Sequence, residues 1–90
     1  MSTPLGWEKK VDHRLRALWA RLTDNERKRQ TIRILVRFIG TVEQLKDTGL
    51  KVGSVAGDIA TGSMILDDLP RVANAPVIAY MELAQPLAPD

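Results

Sequence analysis

The stretch TIRILVRFIG, residues 31–40, constrains the fold more than any other part of the chain. Its apolar residues alternate with other side chains, which is the period of two typical of a strand with one buried face. The apolar set is Ile32, Ile34, Val36 and Phe38. β-branched and aromatic side chains favour a pleated sheet, and the run ends at Gly40. We therefore expect a central strand here, in a small α+β sandwich.

The length of 90 residues predicts one domain, because a chain of this size has no room for a second core. Such a chain buries only about 60–65% of its unfolded surface, so we expect marginal stability. The absence of cysteine excludes a disulfide framework and a thiolate zinc site. The opening MSTPLGWEKK has no apolar signal region, and no apolar run is long enough to cross a membrane. As written, the sequence predicts a cytoplasmic protein with no membrane partner.

Basic residues are concentrated before Gly40, although the net charge is only +2. They include Lys9, Lys10, Arg14, Arg16, Arg21, Arg27, Lys28, Arg29, Arg33 and Arg37, while Asp58, Asp67, Asp68, Glu82 and Asp90 follow Gly40. A basic half is compatible with nucleic-acid binding. No series of aromatic residues interleaves with the basic run, as a base-stacking platform would require. A solvated helix surface is therefore the favoured interpretation, and we expect no nucleic-acid partner.

The N-terminal third predicts a helix that precedes the strand. Residues 1–10 are predicted to be a flexible lead, and residues 11–30 to form an amphipathic helix and a connector. The helix is expected at about 10–22, because its apolar residues recur at helical spacing. That stripe consists of Val11, Leu15, Leu18, Trp19 and Leu22. The polar segment NERKRQ, residues 25–30, is predicted to be the connector, and an extension of the helix through it is the alternative.

Two short helices are predicted after the central strand. Thr41 and Gln44 have the spacing of a capping box, and Gly49 can end the first helix in a left-handed conformation. Asp67 or Asp68 is expected to cap the second helix, within DDLPRVANA. Its expected core residues are Leu69, Val72 and Ala73.

Three further strands are expected at 50–56, 59–66 and 77–83. The dipeptide Gly57-Asp58 predicts the turn between the first two, and Gly62 predicts a bulge or a close backbone approach. Beyond the last strand, two prolines predict an extended tail. This tail, residues 84–90, is not expected to be helical.

The element order from residue 31 to residue 83 is β-α-β-β-α-β. It predicts a ferredoxin-like antiparallel sandwich with an additional N-terminal amphipathic helix. Both crossover helices would lie on one face of the sheet, so the other face would be less covered. Leu35, Tyr80 and Ile78 are expected there and make that face a candidate docking surface.

No set of residues in the sequence predicts catalysis. His13 is the only histidine, with no cysteine partner and no second metal-binding histidine. Gly53, Gly57 and Gly62 are spaced too loosely for a phosphate-binding loop. We therefore expect no catalytic residues, no metal site and no cofactor.

The amino-acid sequences of several segments between residues 11 and 90 resemble those of a known family. The points of likeness are VDHRLRALWARL, SVAGDIATGSM, LDDLPRVANAPVI and Tyr80-Met81-Glu82 before an extended tail. They resemble the N-terminal propeptide domain of bacterial subtilisin-like serine proteases and the related free-standing proteinase inhibitors. The resemblance implies a domain that assists folding of the protease and inhibits it, either in cis or in trans. It implies no enzymatic activity, and we expect a monomer when the domain is unbound.

In this family the sheet packs on two surface helices of the protease, and the C-terminal tail occupies the substrate cleft. The resemblance implies that the Glu82 carboxylate caps the N-terminus of a protease helix. The implied protease-binding residues are Tyr80, Glu82, Leu83, Ala84, Gln85, Pro86, Leu87, Ala88, Pro89 and Asp90. The chain departs from the family where Leu83 and Ala84 replace a second acidic residue. The final Leu-Ala-Pro-Asp is also unusual for a cleft that prefers apolar residues at the cut.

Two alternative functions stay open at this stage. A ferredoxin-like domain can bind nucleic acid by stacking bases on aromatic side chains of its sheet, but only Tyr80 is expected to be suitably placed. The helix over 11–22 could instead serve oligomerisation. Its stripe is too short for a stable coiled coil, so we expect it to pack on its own domain, at the sheet edge.

Overall fold

The alternating stretch forms an inner strand of a four-stranded antiparallel sheet. The computed structural model describes residues 6–84. The strands are β1 (Thr31–Phe38), β2 (Lys51–Ala56), β3 (Ile59–Ile65) and β4 (Ile78–Leu83), and their order across the sheet is β2-β3-β1-β4. The helices are α1 (His13–Arg21), α2 (Asp24–Arg29), α3 (Val42–Lys46) and α4 (Leu69–Asn74). The chain therefore has an α+β fold.

Strand β1 has the buried face that its sequence predicts. Ile32, Ile34 and Val36 are fully buried, and Phe38 is 5% exposed. β1 pairs with β3 on one side and with β4 on the other, so both of its edges are hydrogen-bonded. The prediction of a central strand with one apolar face is confirmed.

Glycines shape the hairpin between β2 and β3. Gly57 has a φ of +63° in the predicted turn. The predicted close approach at Gly62 is confirmed, because a Cβ atom there would lie 2.6 Å from the carbonyl oxygen of Lys51. The bulge itself lies on the partner strand, where the pairing register shifts between Val52 and Ser54. The strand predicted over 50–56 is present as β2, and the bulge interrupts the alternation of its side chains.

A second bulge lies in β4. Tyr80 pairs with Arg37 and Ile78 pairs with Phe38, so Ala79 is an extra residue in this strand. The extra residue places Ile78 and Tyr80 on opposite faces. Ile78 is 1% exposed and belongs to the core, so the expectation that it lies on the outer face with Tyr80 is wrong.

The two crossover helices begin differently. The Thr41 hydroxyl accepts a bond from the Gln44 amide, and the Gln44 side chain accepts one from the Thr41 amide, which confirms the predicted capping box of α3. Asp68 occupies the N-cap position of α4, but its side chain makes no capping bond. Its carboxylate lies 3.4 Å from the guanidinium of Arg71 instead. The predicted N-cap position is therefore confirmed, but the side-chain capping bond expected of the aspartate is not formed, and a 3-10 turn over Leu66–Asp68 leads into the helix.

The N-terminal segment is more ordered than its sequence predicts. Gly6–Lys10 form a 3-10 helix rather than a flexible lead, and Trp7 is only 2% exposed. The Trp7 ring meets the Trp19 ring edge to face, with 5.5 Å between the centroids. Segment 6–10 is therefore part of the packed domain.

Helix α1 begins later than expected, and a second helix follows it. The Asp12 carboxylate caps α1 by accepting a bond of 2.9 Å from the Leu15 amide. The expected polar connector is largely the helix α2, which begins with a capping box between Thr23 and Glu26. This capping box can be found in the sequence. The helix itself is difficult to predict, because it is only two turns long and has no apolar stripe.

The core lies between one face of the sheet and the helices. The buried cluster joins α1, α3, α4 and the Trp7 segment to the strands, and Leu15, Leu45, Leu69 and Met81 are fully buried members of it. Leu18, Trp19 and Leu22 pack against this cluster from α1 and from the residue that follows it. The prediction that the apolar stripe packs on its own domain is confirmed.

Candidate protein-binding face

The face of the sheet opposite the core defines the candidate site. We call it the outer face. Its residues alternate with the buried ones along each strand, since neighbouring side chains of a strand point to opposite sides. It comprises Arg33, Leu35 and Arg37 of β1, Ile59, Thr61, Ser63 and Ile65 of β3, and Tyr80 and Glu82 of β4.

The centre of the outer face is apolar and its margin is charged. Leu35, Ile59 and Tyr80 line a depression of about 160 Å³, together with Arg37 and Glu82. Tyr80 is 37% exposed, whereas Leu35 and Ile59 are half-buried. Protein interfaces commonly have this arrangement, in which an apolar centre is surrounded by a polar rim.

Cross-strand pairing brings the members of this depression together. Glu82 lies opposite Leu35 in the register of β1 with β4, and Tyr80 lies opposite Arg37. Ile59 faces Arg37 from the other neighbour, β3. The predicted site residues Tyr80 and Glu82 thus share one depression with Leu35, whose position on this face was also predicted.

The charged groups of the depression are only loosely held. Arg37 pairs with Asp58 at 3.9 Å, and both side chains are about two-thirds exposed, so this ion pair adds little stability. The carboxylate-bearing Glu82 is exposed. An exposed carboxylate beside an apolar centre can accept hydrogen bonds from the amides at the N-terminus of a partner's helix.

A larger and more basic groove adjoins the depression, with a volume of about 400 Å³. Arg33 and Lys51 contribute positive charge, and Thr61 and Ser63 contribute hydroxyl groups. Ala84 also lines this groove. The backbone thus leaves β4 beside the outer face.

The backbone at the end of β4 is held in place. The Ala84 amide donates a bond of 3.0 Å to the carbonyl oxygen of Arg33. Leu83 is 4% exposed and belongs to the core cluster, so its side chain is not presented to a partner as the resemblance implies. Gln85, Pro86, Leu87, Ala88, Pro89 and Asp90, which the resemblance places in the protease cleft, lie outside the described residues.

Sequence reasoning missed two contributors to this region. Ile59 lines the depression because the register of β3 with β1 places it opposite Arg37. Arg14, on α1, donates a bond of 2.8 Å to the carbonyl oxygen of Leu83. The capped start of α1 could be found from the sequence, but nothing local to Arg14 indicates a partner 69 residues away.

Two other features are absent from the described part of the chain. Within residues 6–84, no three histidine, cysteine or carboxylate side chains come close enough together to hold a metal ion. Among the helices in the same range, none has both the length and the apolar character to span a bilayer.

Compared with protein-family models, curated proteins and solved structures, the chain matches none of them.

Proposed function

We propose that the chain is a propeptide-like module that binds a subtilisin-like serine protease, assists its folding and inhibits it. The strand order β2-β3-β1-β4 and the two crossover helices support assignment to the ferredoxin-like arrangement on which such modules are built. The segment resemblance over 11–90 supports the family assignment. The protease is the sole partner that this proposal requires.

The observation that carries the proposal is the position of Tyr80 and Glu82. Both lie on the outer face next to Leu35, on the strand that leads directly to the tail. A protease that packs two helices on this face would cover the apolar depression. Its helix N-terminal amides would bind the Glu82 carboxylate, because a helix N-terminus attracts negative charge.

The tail would then act as a product-like inhibitor. An extended segment can enter a cleft by adding main-chain hydrogen bonds in the manner of an extra strand. The tail follows Ala84, whose amide is already bonded to β1, so it starts from a fixed point on the module. The outer face would bind the native protease but not the unfolded protease. Binding would therefore stabilise the native state, which accounts for assisted folding.

A titration against a panel of subtilisin-like proteases tests this proposal. We compare the full chain with a variant whose residues 85–90 are replaced by a glycine–serine sequence of equal length. Leu83 and Ala84 are retained, because Leu83 belongs to the core and the Ala84 amide bonds to β1. We expect the full chain to inhibit at least one protease, and the replaced tail to abolish inhibition. A folded chain that inhibits none of them, or a replaced tail that still inhibits, would contradict the proposal.

The Glu82→Gln variant tests the role of the carboxylate. We expect the inhibition constant to rise roughly 2- to 30-fold, as for the loss of a charge at a helix N-terminus. The matched control is Glu43→Gln, an exposed glutamate on α3 outside the outer face. Equal effects of the two substitutions would argue against a role for Glu82.

Nucleic-acid binding is the second candidate, and one observation favours it. Arg33, Arg37 and Lys51 place positive charge on or beside the outer face. Among the described residues of that face, Tyr80 alone could stack on a base, whereas RNA-binding sheets commonly stack two or three. Binding of the full chain to single-stranded RNA that weakens steeply with salt would favour this candidate.

A further inference from the structure

The edge of β4 that does not pair with β1 is bound by the N-terminal segment. Val11 pairs with Met81 in a parallel bridge, and the Asp12 amide donates a bond of 3.0 Å to the Met81 carbonyl oxygen. Two residues further along the strand, the next outward-pointing carbonyl is that of Leu83. It accepts the bond from Arg14. The segment Val11–Arg14 therefore occupies the edge at which another strand could otherwise pair.

The peptide at the end of β4 is held from two sides. On the inner side, the Ala84 amide bonds to the Arg33 carbonyl oxygen at 3.0 Å. On the outer side, the Arg14 guanidinium bonds to the Leu83 carbonyl oxygen at 2.8 Å. The bound carbonyl and the bound amide belong to one peptide plane, that between Leu83 and Ala84. Two opposed hydrogen bonds to one plane hold the last peptide of β4 in a fixed orientation.

Arg14 is itself anchored. Its Nε atom lies 3.6 Å from the Asp12 carboxylate, which also caps α1 by binding the Leu15 amide. Asp12 is in turn bonded through its backbone to β4. The Arg14 side chain is 51% exposed, so its burial contributes little. Its main effect is the geometry that its hydrogen bond imposes on the end of β4.

We propose that Arg14 is a positioning residue that holds the last peptide plane of β4, from which the C-terminal tail begins. The consequence for inhibition rests on the proposed function, whereas the positioning itself does not. A tail that starts from a fixed peptide plane loses less conformational freedom when it enters a cleft, and preorganisation of this kind strengthens binding. The N-terminal helical segment thereby takes part in inhibition without touching the protease.

Amide hydrogen exchange of Ala84 in the full chain tests the positioning directly. We compare Arg14→Ala with Arg16→Ala, which removes an exposed arginine from the same helix. We expect exchange of the Ala84 amide to quicken roughly tenfold in Arg14→Ala and to stay unchanged in Arg16→Ala, as for the loss of a hydrogen bond from a charged donor. Exchange of the Ile34 amide, in the centre of β1, serves as the control for global stability. Equal Ala84 exchange in the two variants would overturn the proposal, whether or not the chain inhibits a protease.

A double-mutant cycle tests the consequence for binding. Arg14→Ala is measured in the full chain and in the chain with the glycine–serine tail, against a protease that the unmodified chain inhibits. Affinity is measured by direct binding, because the outer face is expected to bind the protease even where the replaced tail no longer inhibits it. We expect affinity to fall roughly tenfold in the full chain and to change little with the replaced tail, because Arg14 acts only through the tail. An equal loss in both backgrounds would show a merely structural role and overturn the proposal. If the unmodified chain inhibits no protease, the proposed function fails and Ala84 exchange alone decides whether Arg14 positions the tail.

Discussion

At the scale of single residues, the structure separates glycines that look alike in the sequence. Gly53 and Gly62 both lie within strands and both have extended backbones. Gly62 faces the backbone of the neighbouring strand, where a Cβ atom would lie 2.6 Å from Lys51 O and 3.1 Å from the Leu50 side chain. At Gly53 the nearest atoms would be 3.4 Å and 3.5 Å away, which is ordinary contact.

Gly62→Ala is therefore expected to destabilise the domain by about 1–3 kcal/mol, because a backbone oxygen cannot move aside without disturbing the sheet. Gly53→Ala is the matched control and should change the free energy of unfolding by less than about 1 kcal/mol. Urea unfolding followed by tryptophan fluorescence measures both. Similar stabilities of the two variants would mean that β2 can shift away from β3 at little cost.

At the scale of elements, α2 is attached to α1 by one side chain. Helix α2 contains no buried residue, and its polar sequence gives it no apolar stripe. Arg27 places its guanidinium 4.1 Å from the centre of the Trp19 ring and donates a bond of 2.8 Å to the Trp19 carbonyl oxygen. It also pairs with Asp24 at 2.7 Å. A cation–π contact and hydrogen bonds thus hold α2 against α1.

Arg27→Ala should destabilise the domain by about 1–3 kcal/mol, because the Arg27 side chain is only 16% exposed and makes all of these contacts. The control is Arg29→Ala, an exposed arginine of the same helix, which should stay within about 0.5 kcal/mol of the unmodified chain. Thermal and urea unfolding measure the difference. No difference between the two variants would show that the contacts of Arg27 add nothing to the stability of the domain.

At the scale of the whole molecule, the N-terminal segment completes the domain. Trp7, Val11 and Leu15 are buried members of the core cluster. The same segment covers the β4 edge, whereas the opposite edge, β2, is largely exposed and carries Lys51 and the bulge at Gly53. A charge and a bulge are features that hinder pairing at an exposed edge.

A chain that begins at Thr31 is therefore expected not to fold cooperatively. Each large buried side chain contributes about 1.5–3 kcal/mol, so the three lost residues represent a large part of the roughly 5–15 kcal/mol that stabilises a domain. A chain that begins at Gly6 keeps every described contact and is the control. Circular dichroism with urea unfolding compares the two. A cooperative transition of the shorter chain at a similar urea concentration would contradict this expectation.

Local patterns in the sequence determined much of the fold. The alternation in β1, the capping box at Thr41 and the turn at Gly57-Asp58 were predicted correctly, since each depends on neighbours within a few residues. The apolar stripe of α1 likewise predicted that this helix packs on its own domain. For the candidate site, Leu35 and Tyr80 were correctly predicted on the outer face, whereas Glu82 was named only through the family resemblance.

Tertiary structure alone decided the remaining features. The bulge at Ala79 moves Ile78 into the core, because the pairing register of β4 is set by packing against β1 and not by the sequence of β4. The bond from Arg14 to the Leu83 carbonyl joins residues 69 positions apart. A contact of this kind forms only after the N-terminal helix has packed beside the last strand, so no short-range sequence pattern predicts it.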